Sequence, residues 1–278
     1  MKLLKSLFFV LIFFAAANNF ILAQSYSGIV ADAITKQPIG YVNIGVVGKG
    51  IGTVSDMNGH FSITLNDSLN NQLLRFSCIG YTPQSFAVST FKSTYSNNCT
   101  VLLNTNTFAL HEVVVKPKAY KTVVLGNTST SKFLSLGAES NDLGSEMGTL
   151  MHIKKAPTFI ENVNFNFSYI ALDSVKFRLN IYSVKDGMPD TIILKQPIFI
   201  TTKIKSGTLS VDVKKYDLVA MGDFVVSLEL IEDYGKNKIL VCGGLLNSDC
   251  FFRKTSQDKW KKAGLLGVSF NSTVSYQQ

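Results

Sequence analysis

Few residue sets in this chain have the types and spacing to do chemistry. His60, His111 and His152 stand too far apart for a His-Glu-x-x-His or His-x-x-Glu zinc set, and no Cys-x-x-Cys pair exists. Neither a metal nor another cofactor is expected. No Gly-x-Ser-x-Gly nucleophile elbow occurs. Ser129-Thr-Ser-Lys132 has the Ser-x-x-Lys spacing of penicillin-binding enzymes, but the companion Lys-Thr-Gly and Ser-Asp-Asn elements are missing. Asp56-Met-Asn58-Gly59 gathers side-chain oxygens, yet it departs from the Asp-x-Asp-x-Asp-Gly calcium pattern and reads as a tight turn. A pair of acids suited to glycoside hydrolysis stays open, because carboxylate separation is a property of the fold. No catalytic residue is assigned.

The residues singled out for ligand binding are Arg178, Tyr182, Glu229, Arg253 and Trp260. Trp260 lies in Asp258-Lys-Trp-Lys-Lys262, where an indole stacks on a sugar or plugs the end of a domain. Four cysteines allow three full pairings. Cys242 and Cys250 flank a turn-like Gly243-Gly244-Leu-Leu-Asn247-Ser-Asp249, so a bridge across a hairpin and two free thiols are both open.

The elements that must position these side chains are strands. From Tyr26 to Leu103, short β-branched and aromatic runs follow one another between turn residues, the pattern of a small sandwich. Phe61, Ile63 and Leu65 alternate as one apolar face. Gly52, Gly59 and Gly80 read as turn formers, and Asn58-Gly59 marks a hairpin. Lys116-Pro117-Lys118 ends a valine run and opens a Thr-, Ser-, Asn- and Gly-rich stretch with little periodicity, read as a linker over 116–148. Beyond it, Val163-Asn-Phe165-Asn-Phe167 and Val175-Lys-Phe177-Arg-Leu179-Asn-Ile181 are apolar at every second residue. A second β-sandwich, jelly-roll-like, is expected over 149–278. The fold class is all-β with two sandwich domains.

The ordered set Gly28…Asp32…Pro38, Tyr41-Val-Asn-Ile44, Gly52-Thr-Val-Ser-Asp56, Asn58-Gly-His-Phe61, Leu74-Arg-Phe-Ser-Cys-Ile-Gly-Tyr81 and Glu112-Val-Val-Val115 resembles the carboxypeptidase-like regulatory domain. The resemblance covers residues 24–115. It implies a transthyretin-like sandwich of about seven strands, an accessory module of secreted peptidases and of outer-membrane receptors in Gram-negative bacteria. The family's module contributes no catalytic residues, so none is carried over.

Residues 1–23 read as a signal peptide: Lys2 and Lys5 precede an apolar run from Leu7 to Ala17, and Ala23-Gln24 offers a cleavage point. Asn18 and Asn19 interrupt the run short of the ~20 apolar residues that span a bilayer. The whole chain carries 27 basic and 19 acidic residues, a formal +8, which falls to +6 without Lys2 and Lys5. That surplus is scattered, without the concentrated basic and aromatic surface of a nucleic-acid binder. These features together imply an exported, non-catalytic protein of the periplasm, outer membrane or exterior, with an envelope protein or a glycan as partner. The competing expectation is a peptide or glycan hydrolase with a site in the second domain.

Overall fold

The computed structural model describes residues 23–95, 98–106, 120–139, 141–245 and 249–278. The expected leader, except Ala23, lies outside them, as do His111, the Glu112–Val115 run and the first residues of the expected linker. The fold is all-β.

Among the described residues the first sandwich holds seven strands: β1 (Gln24–Asp32), β2 (Asn43–Val46), β3 (Ile51–Val54), β4 (His60–Leu65), β5 (Leu73–Ser77), β6 (Gln84–Ala87) and β7 (Cys99–Leu103). They form a three-stranded sheet, β4-β1-β7, and a four-stranded sheet, β3-β2-β5-β6. β1 runs antiparallel to β4 and parallel to β7. Phe61, Ile63 and Leu65 pack with Ile44, Val46, Leu74 and Phe76 in one buried core. Phe61 meets Phe76 edge to face at 5.5 Å. The run expected to continue as strand after Ala87 instead turns into a short helix, α1 (Val88–Thr94). Val88 and Phe91, three apart on one helical face, are its buried residues, and helical spacing places both in the core where alternation would not. The Asp56–Gly59 turn is closed by its own groups: Asp56 Oδ1 accepts from the backbone of Asn58 and His60 at 2.8 Å, and Gly59 has φ +79°.

The second unit contains β8 (Tyr120–Gly126), β9 (Ser135–Glu139), β10 (Glu146–Met151), β11 (Thr158–Ile170), β12 (Val175–Lys185), β13 (Met188–Ile192), β14 (Ile198–Thr202) and β15 (Gly207–Asp212). It continues through β16 (Leu218–Ala220), β17 (Phe224–Leu230), β18 (Lys238–Leu245), β19 (Cys250–Arg253), β20 (Lys261–Ala263), β21 (Leu266–Val268) and β22 (Phe270–Gln277). One sheet runs β13-β12-β17-β10-β19-β20 with β14 also on β12; the other runs β21-β18-β11-β22-β8, with β15 and β16 on β11 and β9 on β18. Val163, Phe165 and Phe167 of β11 face Phe177, Leu179 and Ile181 of β12 across the core, as their alternation requires. Phe167 and Phe177 stack with centroids 5.8 Å apart.

The linker expected over 116–148 is corrected. β8 pairs with β22 from Tyr120↔Gln277 to Gly126↔Asn271, β9 pairs with β18, and β10 begins at Glu146. These segments lack a local signature because their partners lie far along the chain, and pairing rather than propensity decides their conformation.

A bridge between Cys242 and Cys250 is also corrected: all four cysteines are free. Cys242 sits on β18 and Cys250 on β19, which belong to opposite sheets. Cys250 points into the common core, whereas Val241 takes the core position on β18 and turns Cys242 to the other face. Burial pushes both thiols above their ordinary pKa. The denatured, unreduced chain is therefore expected to titrate four thiols with a thiol reagent; a count of two would contradict the structure.

Candidate functional site

All five residues singled out from the sequence come together on the face of the β12-β17-β10-β19 sheet that points away from its own core. The pairing register explains why. Arg178 lies opposite Glu229, Glu229 opposite Glu146, and Glu146 opposite Arg253, so one row across four strands carries the charge order plus, minus, minus, plus. Directly opposed like charges repel. Here each acid has an arginine on its outer side, and Asn180, two residues from Arg178 on the same face, donates from one amide nitrogen to both: 2.9 Å to Glu146 Oε1 and 2.8 Å to Glu229 Oε2.

Glu146 is saturated. Asn180 and Ser227 donate to Oε1, while Arg253 Nε at 2.9 Å and the Tyr182 hydroxyl at 3.2 Å donate to Oε2. Glu229 is not. Arg178 Nε at 2.9 Å and Asn180 both donate to Oε2, but Oε1 has no hydrogen-bond partner. Burial accordingly pushes the Glu229 carboxyl above the usual range, against the pull of Arg178. Burial opposes charge on Arg253 too, but the adjacent Glu146 outweighs it and raises the guanidinium's pKa. Burial likewise raises Tyr182 well above the ordinary phenol value.

Trp260 closes one end of this row. Its indole meets Tyr182 edge to face at 5.5 Å, and the Arg253 guanidinium lies 4.9 Å from the ring centroid. It packs against Leu150, Tyr182, Val225 and Phe251. Of the two readings of this tryptophan, the contacts are those of the plug.

The first sandwich covers the other end. Arg178 Nη1 donates to the Tyr41 carbonyl at 2.6 Å, and Nη2 to Asn43 Oδ1. The Tyr41 hydroxyl donates to Glu232 Oε1 at 2.6 Å, and Lys176 Nζ reaches both at 2.8 and 2.7 Å. The Tyr41 ring rests on Phe199 at 4.9 Å. Tyr41 is thus an interdomain anchor. Beside it the loop 255–258 lies across β2 and β3. Gly48 N donates to Gln257 O at 2.8 Å, and Gln257 Nε2 donates to Ser77 Oγ at 2.8 Å. Gly45 and Gly52, a directly opposed pair, make this approach possible. A Cβ at either position would stand 2.3 or 2.4 Å from the Ser256 carbonyl oxygen. Gly52, read from sequence as a turn former, serves close backbone approach.

The rim pair responds to pH. Burial raises Glu232, but hydrogen bonds from Lys176, Tyr234 and Tyr41 outweigh it and hold the carboxyl below its usual range. A depressed acid contributes stability that is full above its unfolded pKa and lost as pH falls through the lower folded value. The midpoint of thermal unfolding is therefore expected to fall on acidification below about pH 4, and to fall less steeply in Glu232→Gln. Glu229, whose raised value acts in the opposite sense, is common to both proteins. Equal acid slopes would refute this role for Glu232.

Two adjacent carboxylates are what a glycosidase needs, but they must reach a substrate and a water. Glu229 and Glu146 are 0% and 1% exposed, and each carries an arginine. The cavity beside Glu146 is about 30 Å³, room for a water or two and not for a sugar ring. A groove of about 240 Å³ lined by Leu194, Lys195, Ile198, Lys215, Tyr216 and Leu218 is smaller than an ordinary ligand cleft and has no acid in its lining. Ser129 and Lys132 do not pair: Lys132 Nζ bonds Ser206 Oγ at 3.1 Å. Among the described residues, no group of three or more His, Cys, Asp or Glu is placed to hold a metal ion. None of their helices is long and apolar enough to cross a membrane.

Sequence reasoning found Arg178, Tyr182, Glu229, Arg253 and Trp260 but missed Glu146, Asn180, Ser227 and the covering Tyr41 and Asn43. One signal was available for Glu146. Two buried arginines need two acids for neutrality, and only one was on hand.

The chain resembles the cysteine protease and lectin-like domains of Cwp84, a surface layer associated protein of Clostridium difficile, at 12% identity and a TM-score of 0.40, covering 82% of this chain and 45% of that one. It also resembles a variant of the clostridial cysteine protease Cwp84 after propeptide cleavage, at 11% identity and a TM-score of 0.41, covering 82% and 51%. The chain thus spans about half the length of these structures, and at such scores the likeness carries no argument about ligand or activity. No curated protein matches. Residues 26–115, however, match the family model of the CarboxypepD_reg-like domain, so the first sandwich of this chain belongs to that family.

Proposed function

We propose that the chain is an exported, non-catalytic accessory protein of the cell envelope, in which the CarboxypepD_reg-like sandwich braces a second sandwich that binds an envelope protein or a glycan. One observation carries the reading. The chemistry-bearing side chains of the second sandwich, Arg178, Glu229, Glu146 and Arg253, are consumed in one buried row of ion pairs, which Arg178 ties to the first sandwich, and no open cleft surrounds them. The family match supports an accessory module, and the leader-like start supports export. The face open for recognition is the outer side of the β8-β22-β11-β15 sheet. There Thr273, Asn162 and Asp212 form one rung, and Asn164 and Ser210 stand on the next, whose third member, Asn271, is buried. Rows of amides and hydroxyls suit hydrogen bonding to a polar polymer better than burial against an apolar one.

The test is retention of envelope proteins from extract by the immobilised protein, with a glycan array run in parallel. Reproducible retention that is weakened by Asn162→Ala/Asn164→Ala supports the reading. Failure to retain any protein or glycan, or hydrolysis of a peptide or glycan by the purified chain, overturns it.

A further inference from the structure

Three of the most exposed large apolar side chains of the second sandwich lie at one end of it. Phe133 is 103% exposed, Leu265 66% and Leu245 60%. Pairing places them side by side. Gly243 N donates to Leu134 O at 2.7 Å, which sets Phe133 alongside the end of β18, and Leu245 of β18 is the register partner of Leu266, the neighbour of Leu265. Three adjacent chain segments therefore end in a phenylalanine and two leucines with nothing among the described residues packed over them.

Cations surround this tip. Lys132 directly precedes Phe133, and its ammonium bonds Ser206 Oγ at 3.1 Å, at the entry to β15. Lys261 and Lys262 lie a few residues before Leu265, both exposed. The acid beside them is Asp249, which pairs with Lys262 at 3.0 Å.

We infer that this tip, Phe133, Leu245 and Leu265 with Lys132, Lys261 and Lys262, inserts into the surface of a bilayer that carries anionic lipids. Three protruding side chains bury far less than the roughly 800 Å² per partner of a stable protein interface. They suffice for shallow insertion, because a few apolar side chains at acyl depth act together with cations at headgroup level. The lysine stems are long enough to lie along the apolar groups while their ammonium groups stay in the headgroup layer. The charge surplus of the chain has the same sign as this rim.

The experiment uses the full chain with vesicles of equal parts phosphatidylcholine and phosphatidylglycerol, and with phosphatidylcholine alone. Phe133→Ser/Leu245→Ser/Leu265→Ser should lose about tenfold or more in partitioning to the mixed vesicles, with its thermal midpoint unchanged because the three side chains are exposed. Lys132→Glu/Lys261→Glu should lose binding to the mixed vesicles only, and added salt should weaken the wild type there. Insertion is read independently of any apolar leader by Phe133→Trp, whose emission should shift to the blue on mixed vesicles relative to the same protein without lipid. No blue shift, or equal partitioning of wild type and triple variant, overturns the inference. So does a wild type that self-associates in solution while the triple variant stays monomeric, because the tip would then be a contact between copies.

Discussion

Replacing Arg178 with methionine is expected to destabilise the protein by about 3–5 kcal/mol, the cost of stranding a buried carboxylate. Glu229 is fully buried, and Arg178 is its salt-bridge partner at 2.8 Å. The same substitution removes two hydrogen bonds into the first sandwich, to the Tyr41 carbonyl and Asn43. Guanidinium unfolding should show the loss. The companion variant Arg178→Met/Glu229→Leu should recover a large part of it, because no unpaired charge is left behind. If the single variant unfolds within about 1 kcal/mol of the wild type, the row of four charges is not the structural element described above.

The second large effect is expected at a residue with no side chain. Gly45→Ala places a methyl group 2.3 Å from the Ser256 carbonyl oxygen and 3.0 Å from the Ile51 carbonyl oxygen. Both contacts are to backbone, which cannot swing aside, so the 255–258 loop must lift or the β2-β3 pair must distort. Overpacking of this kind costs about 1–3 kcal/mol. Gly80 provides the control. It has φ +92° but nothing within 4 Å of an added Cβ, so Gly80→Ala reports backbone strain alone. A Gly45→Ala protein whose loop 255–258 shows unchanged hydrogen exchange would contradict the close packing of the two sandwiches.

The strands that bear the core were legible because alternation is local. Phe177, Leu179 and Ile181 were assigned to one face of β12, and they pack there. The same alternation turned Arg178, Asn180 and Tyr182 to the other face, where polar residues are ordinarily solvated. Arg178 is buried because the first sandwich lies over it and Tyr182 because Trp260 does, and nothing in residues 175–185 encodes the presence of Tyr41, Asn43 or Trp260. Glu146 escaped for a related reason. It sits at the end of a polar stretch whose strands β8 and β9 exist by pairing with β22 and β18, about a hundred residues or more further along. Gly45 and Gly52 resemble any glycine in a strand until the Ser256 carbonyl is placed beside them. The recognisable family motifs, in contrast, are turn and core residues of a single sandwich, and they were legible for that reason.

Domains joined by small polar contacts usually move relative to one another. Here the contact is buried, charged and backbone-tight, and the two sandwiches are expected to behave as one cooperative body. Calorimetric unfolding of the full chain, with Trp260 fluorescence and far-ultraviolet circular dichroism followed in parallel, tests this most directly. Trp260 is the sole tryptophan and reports the end of the charge row. The account predicts one transition, coincident by all three probes, with calorimetric and van't Hoff enthalpies in agreement. Two resolved transitions in the wild type, one of them silent in Trp260 fluorescence, would contradict it.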